Sequence, residues 1–551
     1  MTKKKKQNNY RKSLPAAQYI ETALIGYELL NSPQLNKGTA FTAIERKNFN
    51  LLGKIPPHIE TLDEQVVRAY AQLKSYENPN KKNIFLNELY NTNNVLFYKL
   101  ASSHIEEITP IIYTPHVAVN CQTFSNEFRR PQGLYISYQD KNYLSEIIAS
   151  YSCDKIDLII VTDSERILGI GDQGIGGIGI CIGKLMLYTL FGGINPLRTL
   201  PIVLDMGTNN KKLLADPTYL GLRRPRITGS KYISFIDDFV AALKQKIPNV
   251  LLQWEDFGRL NAPVILKRYR SQICSFNDDI QGTAVVTLAA ILAAIKILKQ
   301  KLTDQRIVIL GAGSAAIGIA NLITLGMKHS KARQCFWLLD NIGLITEESE
   351  NIIQSQKPYL RKICDIKNWN IKNRKAISLL EVVKNVKPTI LIGCSTAANS
   401  FTKEIVREMA KHVERPIIFP LSNPTANSEA NPSDLIKWTN GQALIATGSP
   451  FDSIAQCNNA LVFPGIGLGV IASKAQEVTD EMLWAAVGAL YKESPSLKNP
   501  ANPLLPPIKE ASRIAKKIGK KVAAIALKNT NVNKLIAQTT WKIEYKKIVP
   551  I

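Results

Sequence analysis

The chain has 551 residues, of which 45% are hydrophobic and 21% charged, a composition typical of a globular protein with two or three domains. Its formal net charge is +24, but the lysines and arginines are spread along the chain and concentrated only at its two ends. We therefore expect non-specific attraction to polyanions and no specific nucleic-acid partner. The eight cysteines lack CxxC spacing and the five histidines lack HxxxH spacing, which argues against a zinc centre and a disulfide scaffold.

The sequence predicts a cytoplasmic protein without a membrane segment. The longest apolar stretch, residues 284–298, contains Lys296 and is shorter than the roughly 20 residues that a membrane-spanning helix needs. No apolar segment follows the basic run at the N-terminus, so that run is not a secretory signal. We expect residues 1–35 to form a basic, flexible tail.

After this tail, residues 36–280 predict an α/β domain that begins with helices. Residues 61–76 and 86–100 have apolar side chains at helical spacing. From Asp157 onwards, "KIDLIIVTD" and "LRTLPIVLDMG" are short β-branched runs that end in Asp or Gly, the pattern of buried parallel strands. A glycine-rich stretch and the helix-like "IGKLMLYTLF" lie between them. Alternating strands and helices predict a sheet covered by helices on both faces.

A second α/β unit, residues 281–551, begins with a long apolar helix. Its first strand lies in "QRIVILGAGSAAIGIANLI", and further apolar runs are "CFWLLDN", "PTILIGCS", "RPIIFPLSNPT" and "QALIATGSP". Polar or turn-forming residues close each run, and open parallel sheets bind their ligands at that carboxyl edge. From about residue 498 the chain becomes rich in Pro, Lys and Asn and then helical. We expect this C-terminal segment to cover a surface.

Two acidic pairs are the strongest indication of chemistry. Glu255–Asp256 in "QWEDFGRLNA" and Asp278–Asp279 in "SFNDDIQGTA" each lie where an apolar segment gives way to a turn. Taken alone, such a pair is more often a solvated surface or a helix cap. Here apolar residues flank both pairs, and buried carboxylates without a cation carry a large desolvation cost. Because Mg²⁺ and Mn²⁺ prefer oxygen ligands, we expect a divalent metal site.

A dinucleotide-binding turn is predicted in "ILGAGSAAIGIA", where Gly311, Gly313 and Ala316 form G-x-G-x-x-A between a strand and a helix. The first glycine permits the tight turn, and the second lets a pyrophosphate approach the amides at the helix N-terminus. The alternative is a tight packing turn without a ligand. Asp340 ends the next apolar run, where a carboxylate can bind the adenosine ribose and favours NAD over NADP. Its spacing from the glycines is longer than usual.

These motifs resemble the malic enzyme family over residues 36–528, and most closely its large bacterial NAD-dependent type. Besides the acidic and glycine motifs, the resemblance is carried by "NKGTAFTAIER", "IIYTPHVAVNCQTFSNEFRRPQGLYIS", "VTDSERILGIGDQGIGGIGICIGKL", "LDMGTNN", "PLSNPT" and "AQCNNALVFPGIGLGVIAS". It implies a substrate and metal domain followed by a Rossmann-type NAD-binding domain. It also implies oxidative decarboxylation of (S)-malate to pyruvate and CO₂ with NAD and Mn²⁺ or Mg²⁺, by a homo-oligomer, either a dimer or a tetramer.

The resemblance implies catalytic roles for three residues at matching positions. Lys184 in "GKLMLYT" matches the general base, which must be neutral to accept the proton of the malate hydroxyl. Asp278 matches an acid beside that lysine. Tyr113 in "YTP" matches the acid that protonates the enol carbon after CO₂ has left.

Further matching positions hold the metal, the substrate and the nucleotide. The positions that match metal ligands are Glu255, Asp256 and Asp279. Those that match substrate contacts are Arg166, suited to clamp a carboxylate, and the amides Asn423 and Asn458. Those that match nucleotide contacts are Gly311, Gly313, Ser314, Ala316 and Asp340, together with Arg166 and Asn423.

Each of these side chains also has a structural alternative. Lys184 could be a helix residue with its ammonium in solvent, and Tyr113 an ordinary loop aromatic. Arg166 could pair with a neighbouring acid, Asp163 or Glu165. Asn423 could be a turn residue, and Asn458 could be a helix cap.

The chain departs from the family pattern at four places, one of which is a link between Gly311 and Asp340 that is slightly shorter than in the family. Ser164 stands where the family usually has Gly, and Cys181 stands where it usually has Pro. Both flank residues with predicted roles, so we expect Arg166 and Lys184 to be set slightly differently. The loop before Asn458 is clipped to residues 452–454, which could change closure over the substrate.

Two other functions stay open at this point. A malolactic enzyme, which gives lactate and CO₂ with bound NAD, would use the same metal ligands and base, so the detected product decides. A weakly active, polyanion-binding relative would fit the charge of +24 and the basic ends. Against the second alternative, every residue with a predicted chemical role is present.

Overall fold

The computed structural model describes residues 19–151, 156–167, 169–527 and 531–551. They form two compact units, one of residues up to Val117 together with Trp541–Ile551, and one of Ala118–Thr540. The strands in the described residues, numbered in chain order, are β1 (Tyr19–Thr22), β2 (Leu134–Ser137), β3 (Leu158–Thr162), β4 (Thr199–Asp205), β5 (Leu251–Glu255), β6 (Ser275–Asn277), β7 (Ile307–Leu310), β8 (Phe336–Leu339), β9 (Ile390–Gly393), β10 (Ile417–Pro420), β11 (Leu444–Thr447), β12 (Ala455–Gln456) and β13 (Lys547–Pro550).

The first unit is mostly helical, with a two-stranded parallel sheet in which Tyr19 of β1 lies opposite Lys547 of β13. Residues 1–18 of the predicted tail lie outside the described residues, and β1 occupies the next four positions. Phe41 and Phe49 belong to the apolar core of this unit. The helix predicted over residues 61–76 is confirmed as Leu62–Ser75. The other α-helices are Gly26–Leu30, Ala43–Asn48, Pro79–Thr92, Asn94–Ser103 and Ile105–Ile112.

The single helix predicted over residues 86–100 is wrong, because Asn93 divides it into two helices. Asn93 is extended, with φ of −153°, and its carboxamide oxygen accepts a hydrogen bond from the N–H of Leu96 at 3.0 Å. Its amide nitrogen donates to the Tyr545 hydroxyl at 2.6 Å. An asparagine that satisfies a free N–H in this way begins a new helix.

The first sheet of the second unit has five parallel strands in the order β2-β4-β3-β5-β6. Its three central strands are buried along their whole length. Ile202 packs in a core with Phe235, whereas the next residue, Val203, packs in a core with Ile178, so helices cover both faces. The α-helices of this half are Val117–Glu127, Leu144–Ser150, Ile178–Gly192, Lys211–Ala215, Gly229–Lys246, Asn261–Tyr269 and Thr283–Ile297.

The second sheet has six parallel strands in the order β12-β11-β10-β9-β7-β8. The strand order reverses between β7 and β9, the position at which doubly wound sheets bind nucleotides. The α-helices of this half are Ser314–Met327, Ile363–Ile366, Leu379–Val386, Lys403–His412, Pro432–Trp438, Phe463–Ser473, Asp480–Tyr491, Ala511–Ala526 and Val532–Thr539. The predicted α/β fold class, with a helical N-terminal region and a Rossmann-type sheet, is confirmed.

Within the residues that the structure describes, two helical segments are long and apolar enough to cross a membrane, judged by length and composition alone. They are Gly174–Gly192 and Asp278–Ile297, and 89% and 78% of their most apolar windows are buried inside the fold. Core helices of α/β domains have the same composition because they are covered on all sides. Both segments carry residues of the candidate site described below, and the burial of the segments helps to fix the positions of these residues.

Candidate active site

The two acidic pairs lie side by side at the carboxyl edge of the first sheet. Glu255 is the last residue of β5, and Asp256 turns the chain with φ of 53°. Asp278 follows β6, the strand next to β5, and starts the tight turn Asp278–Gly282. The backbone N–H of Asp256 donates to the Asp279 carboxylate at 2.7 Å. The structure therefore brings together residues that are more than twenty positions apart in the sequence.

Three of these acids form a set of oxygens that could hold a cation. Glu255, Asp256 and Asp279 each offer one carboxylate oxygen, and the three oxygens lie within 4.8 Å of one another. Burial raises the pKa of Glu255 well above its usual range, and the charge of Asp279 adds to the shift. Burial also raises the pKa of Asp279. A hard divalent cation fits this donor set, because it would offset both the desolvation and the repulsion.

Lys184 is the cation that the chain itself supplies to this cluster. It lies on the helix Ile178–Gly192 and is only 2% exposed, so it is not a surface residue with its ammonium in solvent. Its Nζ is 2.5 Å from Glu255 Oε1 and 2.5 Å from Asp278 Oδ2. The ring of Phe463 lies 5.2 Å from Nζ and shields it from water.

Asp278 has a further partner that the sequence did not single out. The amide of Asn459 donates to the Asp278 carboxylate at 3.2 Å and to its backbone carbonyl at 3.1 Å. The preceding residue, Asn458, instead caps a short helix, since its oxygen accepts from the N–H of Ala460 at 2.9 Å. The sequence motif that contains Asn458 also contains Asn459, but the two side chains differ in role. Asn459 binds Asp278, whereas Asn458 caps a helix.

Arg166 lies on a loop that contacts Asp256. The side chain is exposed, and its backbone N–H donates to the carbonyl of Asp256 at 3.1 Å. In the described part of the chain, neither neighbouring acid forms an ion pair with it. Glu165 accepts from Asn261 at 3.0 Å, and Asp163 accepts from the Tyr232 hydroxyl at 2.6 Å.

A buried arginine holds the far end of this loop. Arg226 donates two hydrogen bonds of 2.8 Å to the carboxylate of Asp172 and one of 2.8 Å to the carbonyl of Asp163. These bonds fix both ends of the segment that carries Arg166. Burial raises the pKa of the Asp163 carboxyl to about 6.

Asn423 follows β10 in the second sheet and lies against the same loop. Its carboxamide oxygen accepts from the Ser449 hydroxyl at 2.6 Å. A Cβ on Gly169 would lie 3.1 Å from the Asn423 carbonyl, so the two backbones are in close contact. The structure thus brings Asn423 to the Arg166 loop, as expected if both face one ligand.

The predicted dinucleotide turn has the geometry that its glycines require. Gly311 has φ of 101°, and a Cβ there would lie 2.5 Å from the carbonyl of Cys394. The helix Ser314–Met327 begins directly after Gly313, and its third residue, Ala316, is fully buried. The first amides of this helix lack intrahelical partners and form a site suited to phosphate.

Asp340 lies beside this turn in spite of its long spacing in sequence. The amide of Gln356 donates to the carbonyl of Ala312 at 2.9 Å and to the Asp340 carboxylate at 3.2 Å, which joins the two segments. Arg259, from the turn that follows Glu255 and Asp256, places Nη1 3.6 Å from the Asp340 carboxylate. Sequence patterns gave no signal for Gln356 or Arg259.

The helix Ser314–Met327 packs directly on the acidic turn Asp278–Gly282. A Cβ on Gly318 would lie 2.5 Å from the carbonyl of Ile280, which follows Asp279. Gly318 lies two residues beyond Ala316, the last residue of the G-x-G-x-x-A motif, and permits the close approach of the helix to the turn. The helix that would bind the pyrophosphate therefore sets the position of the acidic turn.

Tyr113 belongs to the first compact unit. It follows the helix Ile105–Ile112, is 8% exposed, and its backbone N–H donates to the carbonyl of Thr109 at 3.0 Å. Its role as an acid stays a prediction.

The fold and the site define a class of protein, an α/β protein with two large parallel sheets that combines a dinucleotide-binding turn with a carboxylate and lysine cluster. Residues 90–270 match the family model described as malic enzyme, N-terminal domain, and residues 280–527 match malic enzyme, NAD binding domain. The chain belongs to the malic enzyme family, and the predicted resemblance is confirmed.

Relatives of the chain match over nearly its full length. It is 48% identical to the NAD-dependent malic enzyme of Aliivibrio fischeri (strain MJ11), over 98% of this chain and 99% of that protein. It is 49% identical to that of Photorhabdus laumondii, over 94% and 95%. The solved malic enzyme of Entamoeba histolytica has a TM-score of 0.56 at 23% identity, over 89% and 90% of the two chains, and supports the fold.

Ser164 lies in the left-handed region, with φ of 59°, where the family usually has Gly. A residue with a Cβ is strained in this region by about 1–2 kcal/mol. We predict that Ser164→Gly is more stable to urea than Ser164→Ala by about 1 kcal/mol, since both remove the hydroxyl and only glycine removes the strain. Equal stabilities of the two variants would rule out backbone strain at this position.

The packing of Gly318 predicts that one added methyl group damages two ligand sites at once. Gly318→Ala should weaken both Mn²⁺ and NAD⁺ binding roughly tenfold, because overpacking typically costs ~1–3 kcal/mol and moves the helix off the turn. The matched control is Gly488→Ala, on a helix where an added Cβ meets no atom within 4 Å. Titration of both ligands measures the effect, and unchanged affinities in Gly318→Ala would contradict it.

Proposed function

We propose that the chain catalyses the oxidative decarboxylation of (S)-malate to pyruvate and CO₂, with reduction of NAD⁺. The observation that carries the proposal is the position of Lys184, held by Glu255 and Asp278 at the edge of a three-carboxylate set. The relatives described above bear the name NAD-dependent malic enzyme, which supports the same substrate and nucleotide.

The residues that would hold Mn²⁺ or Mg²⁺ are Glu255, Asp256 and Asp279. When bound, the cation stabilises negative charge on the malate oxygens, and NAD⁺ accepts the hydride from C2. Four carboxylates, including Asp278, face one lysine ammonium here, so a divalent cation would leave the cluster closer to neutral.

Lys184 accepts the proton of the C2 hydroxyl in this proposal. Its neutral form is required for that step, and its bonds to Glu255 and Asp278 hold Nζ in one place. The ring of Phe463 covers Nζ, so bulk water does not compete with the hydroxyl for the amine.

The substrate carboxylates are assigned to Arg166, whose guanidinium can bind one of them in a bidentate manner. Asn423, which lies against the Arg166 loop, supplies an amide from the second sheet. The assignment of Asn458 as a substrate contact uses its amide nitrogen, since its oxygen caps a helix. Tyr113 delivers the proton to C3 after CO₂ has left, an assignment that rests on the family resemblance alone.

The residues that would hold the nucleotide are Gly311, Gly313, Ser314 and Ala316. Asp340 would bind the ribose hydroxyls and repel a 2′-phosphate, which favours NAD⁺.

We also propose that the chain forms a cytoplasmic homo-oligomer, a dimer or a tetramer. Several large apolar side chains of the first unit are exposed, which supports an interface. They are Tyr27 (64%), Ile44 (68%), Leu52 (65%) and Val67 (72%). Light scattering should give a molar mass of two or four chains, and the mass of one chain would contradict the proposal.

The function is tested by supplying purified protein with (S)-malate, Mn²⁺ and NAD⁺ and measuring NADH, pyruvate and lactate. We expect NADH and pyruvate to rise together, with much slower reduction of NADP⁺.

The role of Lys184 is tested in the same assay. The Lys184→Ala variant should lose turnover and keep NAD⁺ binding. The matched control is Lys296→Ala, which changes an exposed lysine on a neighbouring helix and should behave as wild type. Substantial malate oxidation by Lys184→Ala would refute the base assignment.

The other products discriminate the rival functions. Lactate without NADH would identify a malolactic enzyme, which the same cluster could also serve. No product of either kind, combined with salt-sensitive polyanion binding, would favour the weakly active relative.

A further inference from the structure

A buried chain of hydrogen bonds lies behind Glu255. The hydroxyl of Tyr188 donates to Gln253 Oε1 at 2.5 Å, and Gln253 Nε2 donates to Glu255 Oε2 at 2.8 Å. Tyr188 and Gln253 are both 0% exposed, and Glu255 is 2% exposed. A polar chain buried this completely is costly unless every member is satisfied.

The local geometry explains why these two residues meet Glu255. Gln253 and Glu255 are two positions apart on β5, so their side chains project from the same face of the sheet. Tyr188 lies one helical turn after Lys184 on the helix Ile178–Gly192. Phe463 packs against the Tyr188 ring, with centroids 4.8 Å apart, and closes the group from the other side.

The chain of bonds fixes the orientation of an amide that could otherwise face either way. A glutamine side chain presents an oxygen on one side and an N–H₂ group on the other. Because the hydroxyl of Tyr188 donates to the oxygen, the N–H₂ group is directed at Glu255. Glu255 is then held through both oxygens, with Oε2 on Gln253 and Oε1 on Lys184.

We propose that Gln253 and Tyr188 are positioning residues that set the orientation of the Glu255 carboxylate and thereby the affinity of the site for a divalent cation. The inference rests on the proposed role of Glu255 as a metal ligand. With Oε2 anchored, rotation of the carboxylate is restricted, and the ligand oxygen stays near those of Asp256 and Asp279. Partners of this kind behind a metal ligand are worth about 10–100-fold in metal affinity.

Two variants test the proposal on the metal-free full chain. Gln253→Met keeps the length of the side chain and removes both hydrogen bonds, and Tyr188→Phe removes only the hydroxyl. We expect the Kd for Mn²⁺, measured by electron paramagnetic resonance, to rise roughly 10–100-fold in Gln253→Met and by a smaller factor in Tyr188→Phe. The spectrum of bound Mn²⁺ should change in both, and the Kd for NAD⁺ should stay the same.

The double variant adds a test of the connection between the two residues. If Tyr188 acts only through Gln253, the double variant binds Mn²⁺ no more weakly than Gln253→Met. The matched control is Tyr359→Phe, a tyrosine that is 2% exposed and whose hydroxyl donates to Asn321 at 2.7 Å. It should leave Mn²⁺ affinity unchanged.

The outcomes separate this proposal from the metal site on which it rests. Wild-type Mn²⁺ affinity in both single variants, with loss of Mn²⁺ binding in Asp279→Ala, would overturn the positioning role and leave the metal site standing. Wild-type Mn²⁺ binding in Asp279→Ala would overturn the metal site itself. If Gln253→Met fails to bind NAD⁺ and is therefore misfolded, Tyr188→Phe decides the question alone.

Discussion

The repulsion among four carboxylates at one sheet edge is the constraint on which the site depends. Parallel strands place their carboxyl ends together, so Glu255 and Asp278 are neighbours once β5 pairs with β6. Burial strengthens their mutual repulsion, since little solvent remains to screen it. Lys184 offsets one negative charge, and the backbone N–H of Asp256 offsets part of another. A divalent cation would offset two of the remaining negative charges.

The two halves of the second unit meet at this edge through contacts from three segments. The helix Ser314–Met327 approaches the acidic turn at Gly318, and Asn459 binds Asp278. Gly169, on the Arg166 loop, lies against Asn423. The proposed metal ligands, the proposed base Lys184 and the glycine turn are therefore parts of one packed arrangement. Such an arrangement would hold the nucleotide and the C2 hydroxyl of malate in fixed relative positions.

Much of this arrangement follows from local sequence patterns. A buried strand, the glycine turn and each acidic pair are encoded by a few consecutive residues. The predicted strands that precede the glycine turn and the acidic pairs are present in the structure. The roles of Asn459, Arg259 and Gln253 depend on contacts with residues far along the chain, which no local pattern encodes. Likewise, the helix break at Asn93 is favoured by its bond to Tyr545. The strain at Ser164 becomes visible only from its φ angle.

The most direct test of the account is an anomalous diffraction measurement on crystals of the protein soaked in Mn²⁺. The account predicts the strongest manganese peak at bonding distance from carboxylate oxygens of Glu255, Asp256 and Asp279, with Lys184 beside it and not bound to it. A peak elsewhere in the molecule, with none at these three oxygens, would contradict the central claim that the two acidic turns form one metal site.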